Sequence, residues 1–120
     1  MQDPVAAGRT LKLEARSEGK YRVLKAIGQL TESECGEFLE ALKLEMKSGA
    51  PRLILDLDGL LYLSSAGLGA LVSVHPAFLS SGVRLIVAGT NPKVRKLLAL
   101  TSLDKLIESA DSVAEALRRP

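Results

Sequence analysis

The segment Ser64-Ser65-Ala66-Gly67-Leu68-Gly69-Ala70-Leu71 marks the point where a predicted buried strand gives way to a helix. Residues 52–57 (RLILDL) form a short, nearly continuous apolar run, which is typical of a central strand, and the turn pair Asp58-Gly59 follows. After the segment, apolar residues recur at helical spacing and predict a helix that begins near Ala66. Such a crossing from strand to helix is typical of an α/β fold.

Two hydroxyl groups and two glycines stand at the start of this helix. The first turn of a helix offers unpaired backbone N–H groups and a partial positive charge, which suit an anion such as phosphate. Gly67 and Gly69 remove side-chain bulk, so that a partner can approach the backbone closely. Serine is also a preferred N-cap residue, so Ser64 or Ser65 could serve only to start the helix. The segment alone leaves both interpretations open.

The composition indicates one globular domain. The chain has 120 residues, of which 47% are hydrophobic and 25% are charged, and these values argue against disorder. A net charge of +2 without a basic stripe, together with 3% aromatic residues, argues against direct binding of nucleic acid. We expect residues 1–9 to form a flexible tail and residues 10–118 to form a single domain.

The cysteine content and the hydropathy pattern indicate the compartment. Cys35 is the single cysteine, so it forms no internal disulfide, and it lacks neighbours at metal-ligand spacing. A reducing cytoplasm is therefore the expected location. No apolar run approaches the roughly 18 residues that span a bilayer, and the first residues lack the apolar centre of a signal peptide. We expect no membrane insertion, no metal and no cofactor.

Alternating apolar residues predict the other strands. Residues 10–16 and 21–27 alternate in the manner of two half-buried strands, and Gly28 is expected to end the second one. Residues 83–87 predict a further strand, and residues 106–107 a short edge strand. With the central strand, the sequence therefore predicts a mixed β-sheet of four to five strands.

Capping residues mark the starts of the helices around that sheet. Thr31 and Glu34 have the spacing of a capping box. Asn91 and Pro92 are a typical N-cap and first helical residue, and Asp111 is expected to cap the last helix. The predicted order, β-β-α-β-α-β-α-(β)-α, gives an α/β fold with about four helices packed on the sheet.

Evidence for a catalytic serine is weak. His75 is the single histidine, and it lies ten residues after Ser65 on the same predicted helix. Ten helical residues span about 15 Å, which is too far for a hydrogen bond between a nucleophile and its base. Leu63 stands where a nucleophile elbow of the form Gly-x-Ser-x-Gly needs glycine.

Evidence for a nucleotide or metal site is also weak. Gly67-x-Gly69 follows a strand, but Val72 replaces the third glycine of a dinucleotide-binding motif. Asp56 and Asp58 have no third ligand nearby, so capping of the strand end is the expected role of these carboxylates. The sequence therefore favours a binding protein over an enzyme.

The chain resembles the STAS domain of bacterial anti-sigma factor antagonists. The similarity covers nearly the whole chain, from about Leu11 to Leu117, and includes the order of the elements. It rests on these segments: 55–57 (LDL), 62–71 (YLSSAGLGAL), 28–30 (GQL), 94–98 (VRKLL) and 100–103 (LTSL). The segment 62–71 is the specific part of the resemblance.

The resemblance implies a phosphorylated serine. In that family the motif is usually Asp-Ser-Ser-Gly-Leu; an anti-sigma factor that is itself a kinase phosphorylates its first serine, and a phosphatase removes the phosphate. Alignment on Gly67 places this position at Ser65, with Ser64 as the second choice. Ala66 replaces a second serine of the family motif, and Thr31 stands where the family often has aspartate on the partner-binding surface.

The resemblance also implies the function. Unphosphorylated at Ser65, the protein would bind an anti-sigma factor serine kinase and so free the sigma factor, without catalysis of its own. The implied partner-binding residues are Gly28, Leu30, Thr31, Ser64, Ser65, Ala66, Gly67, Leu68 and Gly69. Two alternatives stay open: a STAS subunit or regulatory module that binds a membrane transporter of lipids or anions, and a small hydrolase or nucleotide-binding enzyme.

Overall fold

The computed structural model describes residues 10–120, so the predicted tail at residues 1–9 lies outside the described residues. The elements in chain order are β1 (Leu11–Glu18), β2 (Tyr21–Leu30), α1 (Cys35–Met46), β3 (Arg52–Asp56), β4 (Leu60–Leu63), α2 (Ser65–Ser81), β5 (Arg84–Ala88), α3 (Pro92–Leu100), β6 (Glu108–Ala110) and α4 (Val113–Arg118). Short 3₁₀ turns precede α1 and follow α3, at Glu32–Glu34 and Leu103–Lys105. The domain limits of 10 and 118 stay a prediction.

Residues 10–120 form a mixed sheet of six strands, which confirms the predicted α/β class. The strand order is β1-β2-β3-β5-β6; β1 and β2 are antiparallel, whereas the other pairs are parallel. The long strand β2 pairs with β3 through residues 22–25 and with β4 through residues 28–30. The carboxyl end of β2 therefore lies beside β4 and the start of α2.

Both faces of the central strands are covered, because β3 and β5 are buried along almost their whole length. Alternate side chains of a strand point to opposite faces. Leu53 and Leu55 pack with α1, α2 and α3 on one face, and Ile54 packs with α4 on the other. Burial on both faces explains why the sequences of these strands are nearly continuous apolar runs.

Strand β4, which brings the sheet to six strands, was not predicted. It is four residues long, and its two central side chains, Leu61 and Tyr62, are both exposed. Its pattern therefore lacks the alternation of a half-buried strand. Pairing with β2, which is distant in sequence, makes this segment a strand.

The prediction that Gly28 ends β2 was wrong. Gly28 has φ +99°, and its N–H donates to the carbonyl of Gly59 at 2.9 Å. The register between β2 and β4 shifts at this point, and the strand continues to Leu30. A Cβ at Gly28 would lie 2.1 Å from the carbonyl oxygen of Thr10, so glycine allows the irregularity without interrupting the strand.

The capping box predicted at Thr31 does not form. The Thr31 side chain makes no cap hydrogen bond, the next three residues form a 3₁₀ turn, and α1 begins only at Cys35. Instead, the Thr31 hydroxyl donates to the Glu34 carboxylate at 2.9 Å. The carboxylate is held by other donors, described below.

Two details near the C-terminus also differ from prediction. The edge strand is at Glu108–Ala110, because the N–H groups of Leu106 and Ile107 both donate to Leu103 within the preceding turn. The cap of α4 is Ser112, whose hydroxyl accepts from the Glu115 N–H at 3.0 Å. Asp111, the predicted cap, lies one residue too early.

Candidate functional site

The predicted partner-binding residues meet where β2 and β4 end and α2 begins. The Ser64 N–H donates to the carbonyl of Leu30 at 3.0 Å, and this bond joins two segments that are distant in sequence. A shallow depression of about 260 Å³ lies on top of this junction. It is lined by Thr31, Glu32, Tyr62, Ser64, Ser65 and Ala66.

The two serines at the junction have different environments. Ser64 is the N-cap of α2: its side chain accepts a hydrogen bond from the Gly67 N–H at 3.0 Å, and the residue is only 8% exposed. Ser65 is the first residue of the helix and is exposed. Its hydroxyl makes no hydrogen bond with any of residues 10–120. Ser65 is therefore the hydroxyl available to an incoming group, whereas the Ser64 hydroxyl is engaged in capping.

The two glycines of the motif also differ. A Cβ at Gly67 would lie 2.7 Å from Leu63 Cδ1 and 2.8 Å from Leu30 Cδ2, so this glycine lets α2 pack against the ends of β2 and β4. Gly69 is exposed, and a Cβ there would meet no atom within 4 Å. Gly67 thus serves packing, and only Gly69 lies open to a partner.

The residues predicted to bind a partner divide into two layers. Thr31, Ser65, Ala66 and Gly69 are exposed or half-buried at the surface. The other five form or stiffen the layer below: Leu30, Ser64, Gly67, Leu68 and, at the bulge in β2, Gly28. The lower layer fixes the position of the upper one.

Glu34 fixes the loop that carries Thr31. Its carboxylate accepts hydrogen bonds from the Leu11 N–H at 2.8 Å, from the Thr10 N–H at 3.2 Å and from the hydroxyls of Thr10 and Thr31. Partial burial raises the pKa of Glu34, but these donors outweigh it and hold the pKa below its usual value. This role of Glu34 was not predicted, although the capping-box spacing pairs Thr31 with Glu34.

Tyr62 and Glu32 also line the depression and were not predicted. Tyr62 is 51% exposed and lies on β4, the strand that the sequence did not reveal. Glu32 is exposed and adds a carboxylate at the rim. The exposure of Leu61 and Tyr62 follows from the pairing of β4 with β2, so the sequence carried no local signal for it.

The electrostatics of the helix start suit an added anion. Between Ser65 and Ser81, α2 contains no Asp, Glu, Lys or Arg, so no side chain neutralises the partial positive charge at its first turn. The free N–H groups of such a turn can donate to phosphate oxygens. The exposed carboxylate of Glu32 lines the same depression and carries a charge of the opposite sign.

The other candidate sites have structural explanations. Asp56 Oδ1 accepts from the Asp58 N–H at 3.0 Å, so the pair caps the end of β3 as predicted. Within residues 10–120, no three His, Cys, Asp or Glu side chains are grouped as metal ligands. The helices in this part of the chain are also too short, or not apolar enough, to cross a bilayer.

Comparison with known proteins agrees with this architecture. The family model of the STAS domain matches residues 12–116. A candidate anti-sigma factor antagonist from Thermotoga maritima is 29% identical over 72 residues, which are 60% of this chain and 64% of that protein, slightly under two thirds of its length. The anti-sigma-B factor antagonist of Staphylococcus aureus is 25% identical over 97 residues, which are 81% of this chain and 90% of that protein.

Solved structures share the fold. An anti-sigma factor antagonist from Mycobacterium paratuberculosis superimposes with a TM-score of 0.82 at 21% identity, covering 89% of this chain and 91% of the other. The phosphorylated form of the Bacillus cell fate determinant SpoIIAA superimposes with a TM-score of 0.65 at 19% identity, covering 89% and 96%. The sequence match over most of the chain and the shared fold lead to one conclusion: this chain belongs to the STAS domain family.

Proposed function

We propose that this protein is an anti-sigma factor antagonist that is switched by phosphorylation of Ser65. Unphosphorylated, it binds an anti-sigma factor serine kinase, and the sigma factor is released. Phosphorylated by that kinase, it dissociates until a phosphatase restores the hydroxyl. The protein acts by binding and catalyses no reaction itself, and the proposal places it in the cytoplasm, where ATP and sigma factors are present.

The observation that carries the proposal is the contrast between the two serines. Ser65 presents an exposed hydroxyl without a partner among residues 10–120, at a helix start that carries no neutralising acidic residue. Ser64, beside it, is buried and engaged as the cap. A kinase can reach the first hydroxyl without disturbing α2, whereas phosphorylation of the second would remove the cap.

The relatives support this proposal by their described roles. The Staphylococcus aureus relative is an anti-sigma-B factor antagonist, and the Bacillus protein SpoIIAA has a phosphorylated form with the same fold. Transfer of these roles to this chain predicts an anti-sigma factor as its partner.

The physics of the switch follows from the surface around Ser65. A phosphate adds about −1.5 to −2 charges and a strongly hydrated group. The free protein tolerates it, because the helix start solvates the phosphate and water reaches it. A bound partner would have to desolvate it, next to the carboxylate of Glu32. A loss of only ~3 kcal/mol would weaken binding more than a hundredfold.

The test is phosphate mapping with the purified anti-sigma factor kinase of the same organism and ATP. We expect one phosphate, located by mass spectrometry at Ser65. Ser65→Ala should abolish incorporation and retain binding to the kinase. Ser64→Ala is the matched control and should still accept phosphate, at lower thermal stability.

Other outcomes would contradict the proposal. A phosphate that maps to another residue would reject Ser65 as the acceptor. Absence of binding to any anti-sigma factor kinase, together with co-purification with an ATP-binding transporter subunit, would instead favour the transporter alternative.

A further inference from the structure

An apolar groove lies between β4 and α3, beside the depression at Ser65. Its volume is about 370 Å³. Leu61 and Tyr62 form one wall, and Leu97 and Leu100 form the other. Leu61 is 67% exposed, Tyr62 51% and Leu100 71%, so three large apolar side chains face solvent in one place. Such a concentration of exposed apolar surface is typical of an interaction site.

The rim of this groove is basic. Lys93 and Lys96 lie three residues apart on α3 and both line the groove. The helix carries these two lysines and Arg95 but no acidic residue. Neither lysine forms an ion pair with any of residues 10–120. A groove with apolar walls and an unpaired positive rim complements a segment whose apolar side chains are flanked by carboxylates.

The groove is continuous with the surface around Ser65. Tyr62 lines both the groove and the depression that contains Ser65. One protein seated over Ser65 can therefore place a neighbouring segment into the groove without a gap. Two adjacent contacts to one partner raise its affinity more than either contact alone.

We propose that the groove binds an acidic, amphipathic segment of the same anti-sigma factor partner that covers Ser65. This inference rests on the proposed function. It assigns α3 and β4 a role in recognition: Leu61, Tyr62 and Leu100 bury apolar side chains of the segment, and Lys93 and Lys96 pair with its carboxylates. The contact at Ser65 reports phosphorylation, whereas the contact in the groove selects the partner by its charge.

The test is titration calorimetry with the full chain and the purified anti-sigma factor kinase at two salt concentrations. The double variant Lys93→Glu/Lys96→Glu should weaken binding at least about tenfold at low salt, because attraction becomes repulsion. It should also flatten the salt dependence of the affinity. The control Lys43→Glu/Lys47→Glu makes the same change in charge on exposed residues of α1 and in the following turn and should bind normally.

A second pair of variants tests the apolar walls of the groove. Leu61→Ser should weaken binding about tenfold through loss of buried apolar area. Leu44→Ser on α1 is the matched control, because Leu44 and Leu61 are equally exposed at 67%. All of the substituted side chains are exposed, and thermal melts verify that each variant folds.

Cross-linking identifies the occupant. A photo-reactive residue at position 100 should cross-link to a segment of the kinase rich in Asp and Glu, located by mass spectrometry. Normal binding by both groove variants, or cross-linking to a basic segment, would overturn the inference while leaving the role of Ser65 intact. Loss of self-association, without loss of kinase binding, would show that a second copy occupies the groove and would also overturn it. Failure of the unmodified protein to bind the kinase would remove the proposed function and this inference together.

Discussion

The starts of α2 and α3 are built alike and differ at the residue after the cap. Ser64 (φ −74°, ψ 164°) and Asn91 (φ −76°, ψ 168°) have nearly the same backbone conformation. Each side chain accepts a hydrogen bond of 3.0 Å from the N–H three residues later. The next residue is Ser65 in α2 and Pro92 in α3, so of these two helices only α2 presents a hydroxyl at that position.

This comparison separates two roles within a helix start. The cap residue satisfies a backbone donor and sets the geometry. The next residue sets the chemistry: proline has a fixed φ and no polar side chain, whereas serine offers a hydroxyl beside the free N–H groups. A further difference is that Asn91 also donates to the carbonyl of Leu60 at 2.5 Å and so ties α3 to β4.

The largest expected effect is on the affinity of the switch. Ser65→Glu should weaken binding to the anti-sigma factor kinase more than a hundredfold, or ~3 kcal/mol, because a carboxylate must be desolvated at the interface. Surface plasmon resonance measures this change. Ser48→Glu, an exposed serine in the loop after α1, adds the same charge elsewhere and should bind normally. Full binding by Ser65→Glu would break the functional contrast between α2 and α3.

The next effect is on the caps themselves. Asn91→Ala should lower the free energy of unfolding by about 2–3 kcal/mol, because it removes both the cap and the bond to β4. Ser64→Ala removes the cap alone and should cost about 1–2 kcal/mol. Urea titrations followed by circular dichroism measure both values. Equal losses would show that the bond from Asn91 to Leu60 contributes nothing.

The glycines of α2 should respond in opposite directions. Gly67→Ala places a Cβ under 3 Å from Leu63 and Leu30, and overpacking should destabilise the fold by about 1–2 kcal/mol. Gly69→Ala meets open space and should stabilise the helix by about 0.5–1 kcal/mol. Thermal melts distinguish the two. Stabilisation by both substitutions would contradict the packing described for Gly67.

A further small effect concerns Glu34, whose carboxylate fixes the loop beside the start of α2. Its folded-state pKa is lowered, so its stabilising contribution is present above the unfolded-state pKa and is lost as the pH falls through the folded-state value. Glu34→Gln should cost about 1 kcal/mol at pH 7, and the difference from the unmodified protein should shrink towards zero as the pH is lowered from 7 through the folded-state pKa. Urea titrations across this pH range provide the measurement.

The control for that experiment is Glu40→Gln, an exposed glutamate on α1. It should leave the pH dependence unchanged. A difference between Glu34→Gln and the unmodified protein that stays constant with pH would contradict a charge-dependent contribution from Glu34.

Local features of the fold were predictable. The cap at Asn91 and the proline after it follow rules that involve only a few neighbouring residues. The fully buried Phe38 and Leu42 stand four residues apart on α1, which is the spacing of a single helix face. Each signal is contained within one element.

Features that depend on distant partners were not predictable. Strand β4 exists because it pairs with β2. Strand β2 continues past Gly28 because the Gly28 N–H donates to the carbonyl of Gly59. The Glu34 carboxylate accepts hydrogen bonds from the N–H groups of Leu11 and Thr10, at the start of β1, and does not cap the start of α1. In each case a contact across the chain overrides the local pattern.

By itself, the sequence determined that two hydroxyls stand at a helix start and that either of them is suited to cap it. Serine spacing, small residues and the apolar strand before them are sufficient for that conclusion. Only the tertiary structure decided how the two differ in exposure. The Ser64 N–H bonds to Leu30, and Gly67 lets α2 pack on Leu30, so Ser64 is buried and Ser65 faces solvent. Burial depends on β2 and β4 meeting in space, which no local spacing encodes.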